Sequence, residues 1–190
     1  MRASGILLHI SSLPSPHGIG TMGAAAKDFV DFLVKAGQAY WQILPVCPTS
    51  YGDSPYQSFS TFAGNPYLID LEELIENGWL TEEECENTDW GGSKSYVDYE
   101  KMYQGRFPLL RKAYHNSHIA ENAEFIAFCE ENDWWLSDYA LFMAIKDSQG
   151  GASFLEWDAP LKLREPEAIR RCRHELSDEI CFWQFLQYLF

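Results

Sequence analysis

Positive charge is scarce in this chain. Fourteen Lys and Arg face 28 Asp and Glu, a formal net charge of −14 at pH 7. Phosphate backbones are bound by clustered bases, so nucleic acid is excluded as a partner. No apolar run is long enough to cross a bilayer, and no charged-then-apolar leader opens the chain, so no membrane partner is expected. Cysteine is present but unpatterned. The five residues Cys47, Cys85, Cys129, Cys172 and Cys181 are odd in number and contain no C-x-x-C. That argues against a disulfide framework or a zinc site and for a reducing, cytoplasmic setting. There is no H-E-x-x-H. His115 and His118 are three apart without an evident third ligand, so no metal is expected, and no motif asks for a cofactor. Internal repeats and low-complexity segments are also lacking.

What is present is unevenly distributed. Residues 1–66 carry three acids (Asp28, Asp31, Asp53) and three bases (Arg2, Lys27, Lys35), so the whole acidic excess falls on residues 67–190. The neutral part contains the most unusual stretch, Tyr51-Gly-Asp-Ser-Pro-Tyr-Gln-Ser-Phe-Ser-Thr-Phe-Ala-Gly-Asn-Pro-Tyr67. Gly52, Pro55, Gly64 and Pro66 forbid a regular period. Five aromatic rings alternate with Asp53, Ser54, Gln57, Ser58, Ser60, Thr61 and Asn65. An aromatic loop with interleaved hydrogen-bonding groups suits a ligand flat on one face and hydroxyl-rich at its rim, as a sugar is. A loop packed on its own aromatics is the equal alternative.

Upstream, Gly5–Ile10 is a short apolar run, as expected of a strand buried on both faces. Gly23–Ala36 has a helical period through Phe29, Phe32, Leu33 and Ala36, with Gly37 where a C-terminal cap belongs. Tyr40–Leu44 is a second apolar run. Strand, helix, strand is a βαβ unit, and its strands should be parallel. The loops after Ile10 and after Leu44 then leave the same edge, where α/β proteins hold ligands.

Beyond Tyr67 the pattern turns helical. Asp70 with Glu73 reads as a helix start, and Thr81 with Glu84 as a capping box. Tyr99–Asn116 is helical with a kink or break expected near Pro108. Glu121–Asn132 and Trp134–Gln149 follow, and a last helix is expected from Pro166 to Phe190. Its end, Cys181–Phe190, is aromatic on most sides, as in a buried helix. Two strands cannot close a barrel, so the chain is expected to be the front part of a longer protein.

Several stretches together resemble the start of the 4-alpha-glucanotransferases, the amylomaltases and disproportionating enzymes of glycoside hydrolase family 77. They are Gly5-Ile-Leu-Leu-His-Ile-Ser-Ser-Leu-Pro14, Gly18-Ile-Gly20, Tyr40-Trp-Gln-Ile-Leu-Pro45, the run Tyr51 to Asp70 and, more weakly, Trp134 to Ala144. The resemblance implies an α/β fold: the first βαβ part of a (β/α)8 TIM barrel, incomplete here, with a mostly helical inserted subdomain. The implied division is residues 1–66 for the barrel start and loop, 67–165 for the helical insertion and 166–190 for a helix leading back to the barrel. It implies retaining transfer of α-1,4-glucan segments among maltooligosaccharides, with the remaining C-terminal part of the same protein as a partner.

Such chemistry needs two carboxyl groups about 5–5.5 Å apart. In the family these lie on later strands, so no catalytic residue is assigned here. The resemblance carries Tyr56 to the tyrosine that stacks near the cleavage point and Ser54 to a hydroxyl contact beside it. Asp53 and Gln57 are further candidate sugar contacts. Tyr51 and Tyr103 are candidates for an outer aromatic platform, although a tyrosine on a helix face can equally be core. Asp70 reads as a helix cap. His9 and Ser11, at the end of the first strand, read first as buried hydrogen-bond partners and second as supports of the loop. A non-catalytic carbohydrate-binding or interaction fragment is the alternative.

Overall fold

Gly5–Leu7 (β1) and Tyr40–Gln42 (β2) form a two-stranded parallel pair, with Gly5 opposite Tyr40, Ile6 opposite Trp41 and Leu7 opposite Gln42. The computed structural model describes residues 2–49, 52–93 and 95–190. Ala24–Lys35 (α1) connects the two strands. Its C-terminus shows why Gly37 is there. At φ +67° Gly37 donates to the Val34 carbonyl while Gln38 donates to that of Leu33. This double bond pattern satisfies two orphan carbonyls and needs a left-handed residue.

The strands are shorter than expected and are covered on one face only. The Trp41 ring sits edge-on to Phe29 of α1 at 4.9 Å, above a core of Ile10, Leu13, Ala26 and Leu68. Leu7 and Tyr40 point the other way and are 59% and 67% exposed. The expectation of a strand buried on both faces is therefore corrected. Successive side chains alternate between faces, and within this chain only one face is packed. Ile10 is not in the strand; it opens a 3-10 turn, Ile10–Ser12, which delivers its side chain into the core.

The helices after the loop are Leu71–Glu76 (α2), Glu82–Glu86 (α3) and Tyr99–Ser117 (α4). Thr81 and Glu84 make the reciprocal capping box of α3. Asp98 begins α4, its carboxylate accepting from the Lys101 amide. α4 continues through Pro108, so of the kink or break expected there the break does not occur. An internal proline costs about 3 kcal/mol. The burial of Met102, Leu109, Leu110 and Ala113 along the same helix outweighs that loss.

Ala123–Glu131 (α5), Asp133–Ser148 (α6), Ala159–Lys162 (α7), Pro166–Glu175 (α8) and Ser177–Leu189 (α9) follow. The single helix expected from Pro166 to Phe190 is two. The chain turns at Leu176, at φ −108° and ψ 22°, where no glycine or proline announces a break. Contacts divide the chain into two compact units, Met1–Ser117 with Phe190, and His118–Leu189. Residues 67–117 thus pack with the strand pair, whereas composition groups them with the later helices. No helix among the described residues is long and apolar enough to cross a membrane.

Candidate functional site

Because the strands are parallel, the segments after β1 and β2 leave the same edge, and His9 ties them together. Its Nδ1 accepts from the Leu44 amide at 3.3 Å. Burial holds the imidazole below its ordinary pKa, which keeps the accepting lone pair free. Ser11 contributes through its backbone, its carbonyl accepting from Gly20 at 3.2 Å. Both residues act as supports of the edge.

The loop that follows is held from within. Thr49 and Ser58 form an antiparallel bridge. Between them, the Gln57 amide donates to the Ser54 carbonyl at 3.0 Å, and the Tyr56 amide lies 3.4 Å from Ser54 Oγ. Pro55 fixes one torsion of this turn. Ser58 Oγ donates to the Ser60 carbonyl, and Ser60 Oγ accepts from the Ala63 amide. At the far end the Asn65 amide donates to the Val46 carbonyl at 2.8 Å, and Asn65 Oδ1 accepts from the Tyr67 amide at 3.0 Å. The short side chains therefore spend their hydrogen bonds on the backbone. The aromatic rings are left outward: Tyr56 is 73% exposed and Phe62 60%.

Asp53 has φ +53°, directly after Gly52 at φ +98°. Aspartate tolerates the left-handed region better than most residues, and the bend aims its side chain inward. Burial raises the Asp53 carboxyl pKa. Its charge in turn helps raise the hydroxyl pKa of Tyr67 and of Tyr99, after burial as the main cause in each. Asp53 is therefore within electrostatic reach of an aromatic row. Tyr67 lies 5.9 Å from Tyr99 and 6.1 Å from Phe107, and Phe107 lies 5.2 Å from Tyr103. Tyr99, Tyr103 and Phe107 are four residues apart on α4, so they share one face.

The structure thus brings Asp53, Ser54, Tyr56 and Gln57 together on one stiff turn, and places Tyr103 at the exposed end of the aromatic row. Tyr51 lies outside the described residues. Sequence reasoning missed Tyr99 and Phe107, although the i, i+4, i+8 spacing with Tyr103 was a readable signal. It also missed a buried polar cluster behind the loop. Asp70 stands at the N-cap position of α2 but makes no cap hydrogen bond there; its Oδ1 accepts from Thr21 Oγ1 at 3.1 Å. Gly23 passes so close to this carboxylate that any Cβ would collide with it. His17 is buried edge-on to Trp90 at 5.7 Å, its pKa lowered first by burial and then by the Arg106 charge. Arg106 is fully buried. No isolated residue type announces such a cluster.

With this geometry in place, comparison with known proteins is informative. The profile of the family described as 4-alpha-glucanotransferase matches residues 8–190. The 4-alpha-glucanotransferase of Thermus thermophilus is 48% identical over the whole chain, and that of Clostridium butyricum 48% over 96% of it. The chain spans 38% of the length of each of these relatives. Among solved structures, the amylomaltase from Streptococcus agalactiae in complex with acarbose superposes with a TM-score of 0.95 at 44% identity, over the whole of this chain and 39% of that one.

Proposed function

The chain belongs to the 4-alpha-glucanotransferase family, and from that premise we propose that the whole protein transfers α-1,4-glucan segments between maltooligosaccharides in the cytoplasm. The reaction retains configuration. A carboxylate outside this chain attacks the anomeric carbon as the glycosidic bond breaks, and a second carboxyl group protonates the departing oxygen. The 4-hydroxyl of another glucan then attacks the anomeric carbon, giving its proton to that second group and releasing the first carboxylate.

This chain supplies the first barrel strands and part of the sugar site. The observation that carries the reading is the turn Asp53–Gln57. It is stiff, it stands on the edge reached by the ends of both parallel strands, and it presents an exposed tyrosine beside a half-buried carboxyl group. Tyr56 stacks on the apolar face of a glucose ring, while Ser54, Gln57 and Asp53 receive its hydroxyls. Tyr103 supplies an outer stacking surface for a longer glucan.

The test is incubation of the full-length protein with maltotriose. Glucose and oligosaccharides longer than the substrate should accumulate together, and residues 1–190 alone should give neither. Hydrolysis to glucose and maltose without longer products would overturn the reading.

A further inference from the structure

Arg106 is wholly buried on α4, yet its bonding serves the root of the loop more than its own helix. Its Nη2 donates to the Ile69 carbonyl, and its Nε to the Pro66 carbonyl at 3.4 Å. The 3-10 turn Pro66–Leu68 lies between these two acceptors. The other backbone groups of this segment are also tied down: Leu68 accepts from the Met22 amide at 3.1 Å, and the Asn65 amide donates to Val46. The Pro66 carbonyl also accepts from the Ile69 amide at 3.4 Å, so Arg106 is a second donor to Pro66 and the donor to Ile69. A buried carbonyl left without a donor is costly, and a planar guanidinium can serve two at once in fixed geometry. The charge of Asp70 acts on the same guanidinium. Burial pulls the Arg106 pKa down to about 10, with Asp70 opposing the shift, so the group is charged at neutral pH.

We propose that Arg106 is a positioning residue for glucan binding: by clamping the carbonyls of Pro66 and Ile69 it pre-organises the loop that carries Asp53, Ser54 and Tyr56. The inference rests on the function proposed above. The link from clamp to sugar runs through Tyr67, which follows Pro66 directly. Tyr67 packs on Tyr99 and on Phe107, the residue next to Arg106. Asp53 is within electrostatic reach of Tyr67 and Tyr99. Freeing Pro66–Ile69 therefore loosens the ring against which the sugar-binding turn is set.

A loosened loop has a distinct kinetic signature. If only a fraction of molecules hold the binding-competent form, apparent affinity falls by that fraction, while saturating substrate still recruits every molecule. KM rises and kcat holds. General destabilisation instead lowers the amount of active enzyme, which reduces apparent kcat and leaves KM alone.

The experiment compares Arg106→Lys and Arg106→Met with Leu110→Ala in the full-length enzyme. Leu110 is fully buried one turn further along α4 and makes neither of the clamp's hydrogen bonds. Arg106→Lys, which keeps the charge but not the fork, should raise KM for maltotriose roughly tenfold with kcat within about threefold. Leu110→Ala should leave KM unchanged at a comparable loss of thermal stability. Hydrogen exchange supplies a readout independent of activity. The Asn65 and Tyr67 amides should exchange faster in both Arg106 variants than in Leu110→Ala. If wild-type enzyme fails to disproportionate maltotriose, the proposed function falls, and exchange still decides the clamp. Unchanged exchange in Arg106→Lys, or a KM that moves equally in Leu110→Ala, would overturn the inference.

Discussion

Aromatic residues do opposite work in the two units. In His118–Leu189 the rings of α9 are core, although Trp134 and Phe154 of the same unit are exposed. Phe182, Trp183 and Phe185 of α9 are buried, and Tyr188 meets Phe125 and Phe128 edge-on at 5.6 Å each. The indole of Trp183 also donates to Asp147 at 2.9 Å, so its polar atom is satisfied inside the unit. In the strand-pair unit the loop rings of Tyr56 and Phe62 stand mostly in solvent. The difference is set by backbone. On a helix, rings recur at the period of one face and find a partner helix. On a loop interrupted by Gly52, Pro55, Gly64 and Pro66, and held by its own serines and Asn65, no period exists to bury them. Large rings displayed on a turn held by its own hydrogen bonds are the feature on which the proposed sugar site rests.

The largest effect that would test this contrast is in the helical unit. Phe185 is fully buried, so Phe185→Ala should destabilise the full-length protein by about 3–5 kcal/mol. Urea denaturation should show an earlier midpoint, while KM for maltotriose measured well below it stays at the wild-type value. A changed KM would mean that the helical core is not separable from sugar binding.

Tyr56→Ala should do the reverse. With its ring 73% exposed it contributes little to folding, and the urea midpoint should not move. Activity should fall by about tenfold or more in kcat/KM, because a desolvated contact between a ring and developing positive charge is worth ~2 kcal/mol. The loss should include kcat, since the charge develops only as the sugar flattens toward its oxocarbenium-like state. Tyr56→Phe should lose less. Stability lost with activity kept would place Tyr56 among the structural aromatics.

How much of this was legible depends on where the determining interaction lies. Signals local in sequence were readable. The Gly37 cap of α1 and the Thr81–Glu84 box of α3 each involve neighbours within a few residues. The parallel pairing of β1 and β2 followed from the order strand, helix, strand. The family resemblance added the candidate contacts at Asp53, Ser54, Tyr56 and Gln57. Non-local chemistry was invisible. Nothing near Arg106 in sequence points to its partners, the carbonyls of Pro66 and Ile69 some forty positions away. Asp70 reads as a cap because the competing donor, Thr21, is 49 residues distant. The turn at Leu176 has no local breaker at all.

The subtlest test separates inner from outer rings within the strand-pair unit itself. Tyr103 is 60% exposed and touches Phe107 at the end of the aromatic row. It belongs to α4, whereas Tyr56 belongs to the turn, so a short sugar held by the turn need not extend to it. Tyr103→Ala should therefore leave maltotriose turnover within about twofold of wild type, because no contact made in the transition state is removed. A long glucan that continues past the turn loses one stacking surface, worth ~0.5–1.5 kcal/mol, so its KM should rise roughly two- to tenfold. The measurement is a pair of KM values, for maltotriose and for an amylose fraction, in Tyr103→Ala and Tyr56→Ala. Tyr56→Ala should impair both substrates, and Tyr103→Ala only the long one. Should the two variants lose activity on maltotriose alike, the rings form one site, and the row on α4 lines the cleavage point instead of extending away from it.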